Sequence, residues 1–412
     1  MERPVCGSED CWRVYKVIQK RKRKSWIFWI LAGSGIVLFL TADARYRKEK
    51  TTYYQEKTAE IRKIMEREKE WIRENQGAEG EIYLNLSNGA GDVNPYFACQ
   101  AAMGFLTGDV SAEELSWAAQ YLSWHAGELR KYEGYVSNYE DQGEGLKPTG
   151  KYDSVDSYIA VFLTLLGRYE EKGGELAAVE EWQEAVHICK ERLKDLTVQG
   201  MTQVSERKQV RYLMDNAEVW EGTQAMVRLL ETEDPAVKLY AQREWLYQEF
   251  SREGEEIRET IYGKLWNSQE QRFEIGLDQK GRPLDALGGK TFYPDAIVQV
   301  YPIACGLRQD QKREKELYEQ LCRDFDWEHL NLSEETFNWP VMAYIAAELG
   351  DETRAEIFLK TYQEKYAEER EYPLHTAEAG WTARACERLI DDYEEKAGRG
   401  LLEDLYYRVK GQ

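Results

Sequence analysis

The chain has 412 residues, of which 42% are hydrophobic and 32% are charged, and its formal net charge is −20. This composition excludes a polytopic membrane protein and an intrinsically disordered chain, and the length predicts two or three domains. The charge is unevenly spread, because the first fifty residues hold 12 basic and 5 acidic side chains and the remainder is strongly acidic. Since neutralising phosphates requires Lys and Arg, the acidic body predicts that the protein has no nucleic-acid partner.

An uncharged apolar run extends from Ser25 to Ala42, directly after a basic run from Lys20 to Lys24. Eighteen residues are just enough to cross the hydrocarbon core of a bilayer. The basic excess on the N-terminal side predicts a single-pass signal anchor in the cell membrane, with a cytoplasmic N-terminus and an extracytoplasmic C-terminal domain. Two alternatives remain open, a signal peptide cleaved near Ala42-Asp43-Ala44 and a buried helix.

The segment after the anchor is rich in charged, helix-forming residues from Thr51 to Asn75, and Gly77 and Gly80 follow it. This pattern predicts a stalk helix and a linker that precede the main domain. The predicted divisions are therefore residues 1–24 as a cytoplasmic basic tail, 25–42 as the anchor, 43–80 as stalk and linker, and 81–412 as the main domain.

The main domain shows helical periodicity along most of its length. Helices are predicted at 95–106 with Asn94 as N-cap, and at 112–130, 154–171, 175–196, 216–230 and 235–264, and others start near 294, 311, 336, 352 and 376. Short strand-like pieces lie at 132–139 and 271–277. Long loops precede the helices near 94, 154, 215, 294, 337 and 377, whereas short turns precede their partners. This alternation predicts an all-α fold, an (α/α)6 toroid of six helical hairpins with minor β-hairpin loops, whose long loops gather at one end.

Three segments strengthen this interpretation: Tyr152–Ala160, Met214–Gly222 and Phe292–Ala296. Together with the hairpin layout they resemble inner-helix starts in the six-hairpin glycosidase superfamily, and the nearest likeness is to glycoside hydrolase family 8. The first segment is similar to the Asp-containing segment of that family, with Asp156 at the matching position. The resemblance implies a glycoside hydrolase acting on a polysaccharide or oligosaccharide without a cofactor.

The sequence departs from family 8 at the start of the first inner helix. The family carries its general-acid Glu there in an S-E-G-x-G-Y-type segment, but this chain reads Ser87 to Asp92 with Asn88 in that place. An amide cannot protonate a leaving group. Either Asp92 or another carboxylate substitutes, or the toroid is catalytically inactive and binds a glycan or a membrane glycosyltransferase during polysaccharide synthesis or export.

Glycoside hydrolysis needs two carboxyl groups, which stand about 6.5–9.5 Å apart in inverting enzymes. Asp156 is the candidate for activating or positioning water, and the general acid is left open among three carboxylates, Asp92, Glu218 and Glu221. Further acidic residues at inner-helix starts are candidates for substrate binding: Asp153, Asp215 and Asp295. The alternative is helix capping, because Asp153-x-x-Asp156 and Asp215-x-x-Glu218 both have the spacing of a capping box.

Aromatic residues are frequent near the same helix starts, where flat rings with polar edges suit the faces of pyranose sugars. The candidates for substrate binding are Tyr96, Tyr152, Trp220, Tyr293, Trp339 and Trp381. Packing in the helical core is the alternative for each of them. His375 is a candidate for the cleft or for the surface. The sequence contains no metal-ligand motif, Walker loop, dinucleotide fingerprint or C-x-x-C pair, so it predicts neither a metal nor another cofactor, and no disulfide framework.

Overall fold

The computed structural model describes residues 9–86, 91–143, 145–284, 290–332, 337–366, 369–371 and 373–410. The chain divides into two compact units, one made of residues 1–59 with 391–412 and the other of residues 60–390.

The smaller unit contains the N-terminal part of α1 (Glu9–Glu74), the end of α13 (Thr376–Gly398) and α14 (Leu401–Lys410). The predicted anchor lies within α1, which is long and apolar enough to cross a membrane by length and composition. Within this unit, the Tyr46 hydroxyl donates a 2.6 Å hydrogen bond to Asp404, and Lys50 forms an ion pair with the same carboxylate.

The larger unit consists mainly of helices, as the sequence predicts. In chain order they are the end of α1, α2 (Pro95–Phe105), α3 (Ala112–Lys131), α4 (Val155–Glu171), α5 (Trp182–Leu196), α6 (Leu213–Glu231), α7 (Pro235–Lys238), α8 (Arg243–Thr260), α9 (Tyr301–Ala304), α10 (Gln311–Asp324), α11 (Val341–Glu348), α12 (Glu352–Tyr366) and the start of α13. Asn94 caps α2 by accepting from the backbone N–H groups of Tyr96 and Phe97, as predicted.

The strands are short and antiparallel. They are β1 (Gly91–Val93), β2 (Tyr139–Asp141), β3 (Lys147–Pro148), β4 (Thr197–Val198), β5 (Met201–Thr202), β6 (Arg211–Tyr212), β7 (Trp266–Asn267), β8 (Arg272–Phe273), β9 (Gly276–Leu277) and β10 (Pro283–Leu284). They form two three-stranded sheets, β1-β2-β3 and β10-β9-β6, and two hairpins, β4-β5 and β7-β8.

Six segments line the inside of the larger unit in the order α2, α4, α6, α9, α11 and α13, and each contacts the next. α9 is extended at its N-terminal side by a π-helical turn, Phe292–Ala296, and a 3-10 turn, Ile297–Gln299. α4 is buried over most of its surface because apolar side chains surround it, whereas outer helices such as α5 and α10 are amphipathic. This is the predicted all-α toroid, and the prediction of fold class is confirmed.

The last turns of α1 occupy an outer position between α3 and α12. Two guanidinium nitrogens of Arg370 donate hydrogen bonds to the fully buried Glu68 carboxylate, at 2.5 and 2.9 Å. Lys69, also buried, donates 2.7 Å hydrogen bonds to Glu114 on α3 and to the Thr107 carbonyl. The compact unit therefore begins at Glu60, so that part of the segment predicted as stalk packs with the main domain.

The ring of inner helices closes where α13 crosses α2 at close range. A Cβ atom on Gly380 would lie 2.1 Å from the Gln100 carbonyl oxygen, and one on Gly104 would lie 3.1 Å from the Gly380 Cα atom. Only glycine lets two helix backbones approach this closely.

We expect Gly380→Ala to destabilise the larger unit by about 1–3 kcal/mol, because the added methyl group must push α13 away from α2. Gly127→Ala on α3 is the matched control, since its Cβ would meet nothing within 4 Å and alanine favours a helix by about 0.5–1 kcal/mol. Urea unfolding followed by circular dichroism measures both. A Gly380→Ala midpoint equal to or above that of the unmodified chain would contradict the close-packed ring closure.

Candidate functional site

A cavity of about 720 Å³ opens at the N-terminal ends of the inner helices. All six inner segments or the loops before them contribute to its wall. The lining residues that matter below are Tyr96, Asp153, Ser154, Asp215, Glu218, Tyr293, Tyr301, Phe337, Trp339, His375, Glu378 and Trp381. Its volume is that of pockets which hold small molecules or a few sugar units.

One wall of the cavity carries Glu218, one helical turn into α6 and only 4% exposed. Its Oε1 atom accepts hydrogen bonds from the hydroxyls of Tyr96 at 2.6 Å and Tyr301 at 2.5 Å. Burial raises the pKa of Glu218 to about 7, although the two phenol donors act in the opposite direction. The carboxyl group therefore exchanges its proton near neutral pH.

Asp215 lies on the same wall, one turn before Glu218. Its Oδ2 atom is 2.6 Å from the Ser154 hydroxyl, which is also 2.8 Å from Oδ1 of Asp156. Burial, followed by the charge of the neighbouring Asp156, raises the pKa of Asp215 well above its usual value. Asp156 itself is fully buried behind Ser154, and burial raises its pKa too.

The opposite wall carries Glu378, the third residue of α13. The backbone N–H of Asn338 donates to Oε1 at 2.6 Å, and the Asn338 side-chain amide donates to Oε2 at 2.7 Å. Burial raises the pKa of Glu378 to about 7 against the effect of these donors. α6 and α13 lie across the ring from each other, with two inner segments between them on each side.

Aromatic rings form the mouth of the cavity. Tyr293 is 52% exposed and stacks on Trp339, with 5.5 Å between ring centroids and 28° between planes. Phe337 contacts both Trp339 and His375. Burial lowers the pKa of His375 to about 4, so its imidazole is neutral at physiological pH. These rings thus add uncharged, aromatic surface to the cavity wall.

The structure brings several predicted site residues together in this cavity and places others elsewhere. Those that line it are Tyr96, Asp153, Asp215, Glu218, Tyr293, Trp339 and Trp381. Those that do not are Asp92, Asp156, Glu221, Asp295, Tyr152 and Trp220. Asn88, on which the departure from family 8 rests, lies outside the described residues.

Two of the carboxylates away from the cavity, Glu221 and Asp295, have structural partners, and Asp92 lies on the surface. Asp92 is exposed on β1, opposite Glu140 of β2. Glu221 lies 3.7 Å from the buried guanidinium of Arg384. Asp295 is fully buried and accepts hydrogen bonds from the backbone N–H and hydroxyl of Thr291.

The capping-box alternative for the two acidic pairs does not hold. Ser154, not Asp153, is the N-cap of α4, and Tyr212 is the N-cap of α6, and neither cap uses a side-chain hydrogen bond. Asp153 precedes its helix with an 84% exposed side chain, and Asp215 is already the third helical residue. The side chains of Asp153 and Asp215 therefore line the cavity without capping a helix.

Sequence analysis missed Glu378, Tyr301, Asn338 and Ser154. Glu378 could have been found, because it has the same position at the start of α13 that Asp215 has at the start of α6. The phenol of Tyr301 and the amide of Asn338 gave no such signal, since their roles depend on which helices are neighbours. Within the described part of the chain, the acidic and histidine residues that cluster closely enough to hold a metal ion are Asp326, Glu328 and His329, outside the cavity.

Comparison with solved structures places this fold among glycosidases. A glycosidase variant with a glutamate replaced by alanine has a TM-score of 0.56 at 14% identity, over 82% of this chain and 98% of that one. A second glutamate-to-alanine variant, in complex with glucose, has the same TM-score and coverage at 13% identity. A wild-type glycosidase has a TM-score of 0.55 at 13% identity, over 83% and 98% of the two chains. No protein-family model and no curated protein sequence matches the chain. At this level of identity, the likeness establishes a glycosidase-type toroid.

The raised pKa of Glu218 predicts a pH-dependent stability. A glutamate whose pKa rises from 4.5 to about 7 on folding stabilises the fold below pH 4.5, and this contribution is lost as the pH rises through 7. The difference is on the order of 3 kcal/mol. We expect Glu218→Gln to reduce the loss of stability between these pH values, measured by urea unfolding. The control is Glu180→Gln, at an exposed position before α5, and an equal effect of both substitutions would contradict the prediction.

Proposed function

We propose that this protein is a glycoside hydrolase that cleaves a neutral or amino-sugar polysaccharide by inversion. The observation that carries the proposal is the pair Glu218 and Glu378, two buried glutamates with pKa values of about 7 that line one cavity from opposite inner helices. Carboxyl groups that exchange protons near neutral pH suit acid and base catalysis. Because the two glutamates come from opposite walls, we expect their carboxyl groups to be separated as widely as those of inverting enzymes, in which a water molecule fits between base and substrate.

Glu218 is the proposed general acid. Both phenol donors bind its Oε1 atom, so a proton carried by Glu218 would lie on Oε2, and the Ser157 side chain is a further hydrogen-bond partner of the carboxyl group. The charge of its acidic neighbour Glu221 disfavours ionisation further. In the reaction, Glu218 would protonate the glycosidic oxygen as the bond to the anomeric carbon breaks.

Glu378 is the proposed general base. Asn338 donates to both of its oxygens, which orients the carboxylate and favours its ionised form. Glu378 would remove a proton from a water molecule as that water attacks the opposite face of the anomeric carbon. This assignment replaces the sequence-based candidate, Asp156, because that side chain is fully buried and does not reach the cavity.

The aromatic mouth supports a sugar polymer as substrate. The exposed Tyr293 and its stacking partner Trp339 present a flat ring pair that suits a pyranose face. Among the lining residues that the structure describes, Lys208 is the single Lys or Arg side chain, and Asp153 lies 3.8 Å from it. The acidic wall disfavours polyanionic glycans, which would meet several carboxylates.

We further propose that α1 anchors the protein in the cell membrane with the cavity-bearing unit outside the cytoplasm. The support is the uncharged run at 25–42, which lies within one helix long enough to span, and the basic cluster just before it. An anchored hydrolase would act on glycans close to the membrane, where a glycosyltransferase partner would also lie.

The decisive test is reducing-end release by the detergent-solubilised full-length chain from a panel of neutral α- and β-glucans and amino-sugar polymers. We expect Glu218→Gln and Glu378→Gln each to lower the rate by about 10²–10⁴-fold, because each removes one proton-transfer group. Glu180→Gln, at an exposed position outside the cavity lining, should retain the full rate.

Two other results would each change the conclusion. Unchanged release by either glutamine variant would remove that glutamate from the mechanism. Binding of a glycan without release by the unmodified chain would favour the alternative, a catalytically inactive toroid that serves polysaccharide synthesis or export.

The anchor is tested by fractionation and protease treatment of cells that make the full chain. We expect the chain to sediment with membranes and its C-terminal unit to be digested from outside the cytoplasm. Replacing Ala32 and Ile36 by Lys should release the chain from membranes, at a cost of about 3 kcal/mol per charge near the centre of the span. Soluble chain of full length in unmodified cells would contradict the anchor, and shortened soluble chain would indicate a cleaved signal peptide.

A further inference from the structure

A buried carboxyl group that the proposed reaction does not use lies directly behind the cavity wall. Asp156 on α4 has no exposed surface, yet three donors surround it. Ser157 donates its backbone N–H and Ser154 its hydroxyl to Oδ1, at 3.1 and 2.8 Å, and the Thr202 hydroxyl lies 2.8 Å from Oδ2. This arrangement calls for an explanation, because burying a carboxyl group is costly unless it is well paired.

The orientation of Thr202 is restricted by its neighbour Asn216. The Asn216 amide nitrogen donates to the Thr202 and Tyr212 carbonyl oxygens at 2.9 Å, so its oxygen faces Thr202. That oxygen already accepts from the Thr202 backbone N–H at 2.8 Å, and it lies 3.1 Å from the Thr202 hydroxyl. The shorter contact of the Thr202 hydroxyl is the one to Asp156, which makes Asp156 its preferred acceptor.

The two contacts of the Ser154 hydroxyl indicate that Asp215 carries a proton. The Ser154 hydroxyl has one proton but lies within hydrogen-bond distance of two carboxyl groups, at 2.8 Å from Asp156 and 2.6 Å from Asp215. Both contacts are hydrogen bonds only if one of the two carboxyl groups is protonated. Charge is stabilised where donors are most numerous, which is at Asp156, whereas Asp215 has this one side-chain hydrogen-bond partner among the described residues.

We propose that Asp156 is a positioning residue, a buried anion that acts through the Ser154 hydroxyl to keep Asp215 protonated and neutral at the cavity wall. Asp215 donates its proton to Ser154, and Ser154 donates its own to Asp156. The chain of hydrogen bonds runs from the cavity to a buried charge that no ligand touches.

A neutral Asp215 has a consequence for Glu218, one helical turn away. The ionisable groups that face Asp215 are Asp153 and Asp156 from the α4 side, Glu218 on α6, Lys208 before α6, and the phenols of Tyr96 and Tyr293. If Asp215 were ionised, its negative charge would disfavour ionisation of the neighbouring Glu218. With Asp215 neutral, Glu218 can release and regain a proton near neutral pH. This consequence rests on the proposed function, whereas the protonation of Asp215 does not.

The test is isotope-edited infrared titration of the full-length chain with ¹³C-labelled aspartate, which separates aspartic from glutamic acid carbonyl bands. We expect a protonated aspartic acid band at pH 7 that is absent in Asp215→Asn. In Asp156→Asn the titration midpoint of this band should move down by about one pH unit or more, which is a tenfold change in the ionisation equilibrium. If no aspartic acid band is present at pH 7, or if the band persists in Asp215→Asn, the proposal is overturned.

A second pair of variants keeps the test valid if Asp156→Asn does not fold. Ser154→Ala removes the acceptor of the Asp215 proton and should shift the carbonyl frequency of the band, whereas Ser154→Thr retains a hydroxyl and should preserve it. An unshifted band in Ser154→Ala would overturn the relay. If the band behaves as expected but the unmodified chain releases no sugar, the protonation of Asp215 stands and the proposed hydrolysis fails.

Discussion

The cavity depends on the closure of the inner ring between α2 and α13. Gly380 lies so close to the Gln100 carbonyl that any side chain there would separate the two helices. Closure brings the start of α13, and with it Glu378, to the cavity wall across from α6. Without this contact the chain would still form helical hairpins, but the two glutamates would not share one enclosed space.

Buried ion pairs hold the end of α1 in the larger unit. Glu68 and Lys69, near the end of α1, are held by Arg370 and Glu114 respectively. Buried charges are stable only when paired and hydrogen-bonded, so these contacts fix the register of the first helix against the outer ring. The part of the predicted stalk from Glu60 onward is thus packed in the larger unit and is not merely a spacer.

The buried carboxyl groups of the cavity wall, and Asp156 behind it, have neutral hydrogen-bond partners. Two phenols donate hydrogen bonds to Glu218, and one asparagine donates to Glu378. Hydroxyl groups lie within hydrogen-bond distance of Asp215 and Asp156. Burial raises their pKa values, and the donors limit that rise. Proton exchange near neutral pH follows from this balance, which a row of arginine or lysine partners would abolish by holding the carboxylates ionised.

The sequence by itself determined the helices, their pairing and the end of the toroid at which polar residues collect. Helical periodicity and the alternation of long loops with short turns are local features, and they predicted the starts of α2, α4 and α6 within a few residues. The same local rule selected Asp215 and Glu218, which line the cavity, but also Asp92 and Asp295, which do not. Only the tertiary structure decided between them. Which carboxyl groups face one cavity, and which donors reach them, depends on contacts between residues far apart in the chain, such as Tyr301 with Glu218 and Asn338 with Glu378. No periodicity in the sequence encodes such a contact, because it arises only when the ring closes.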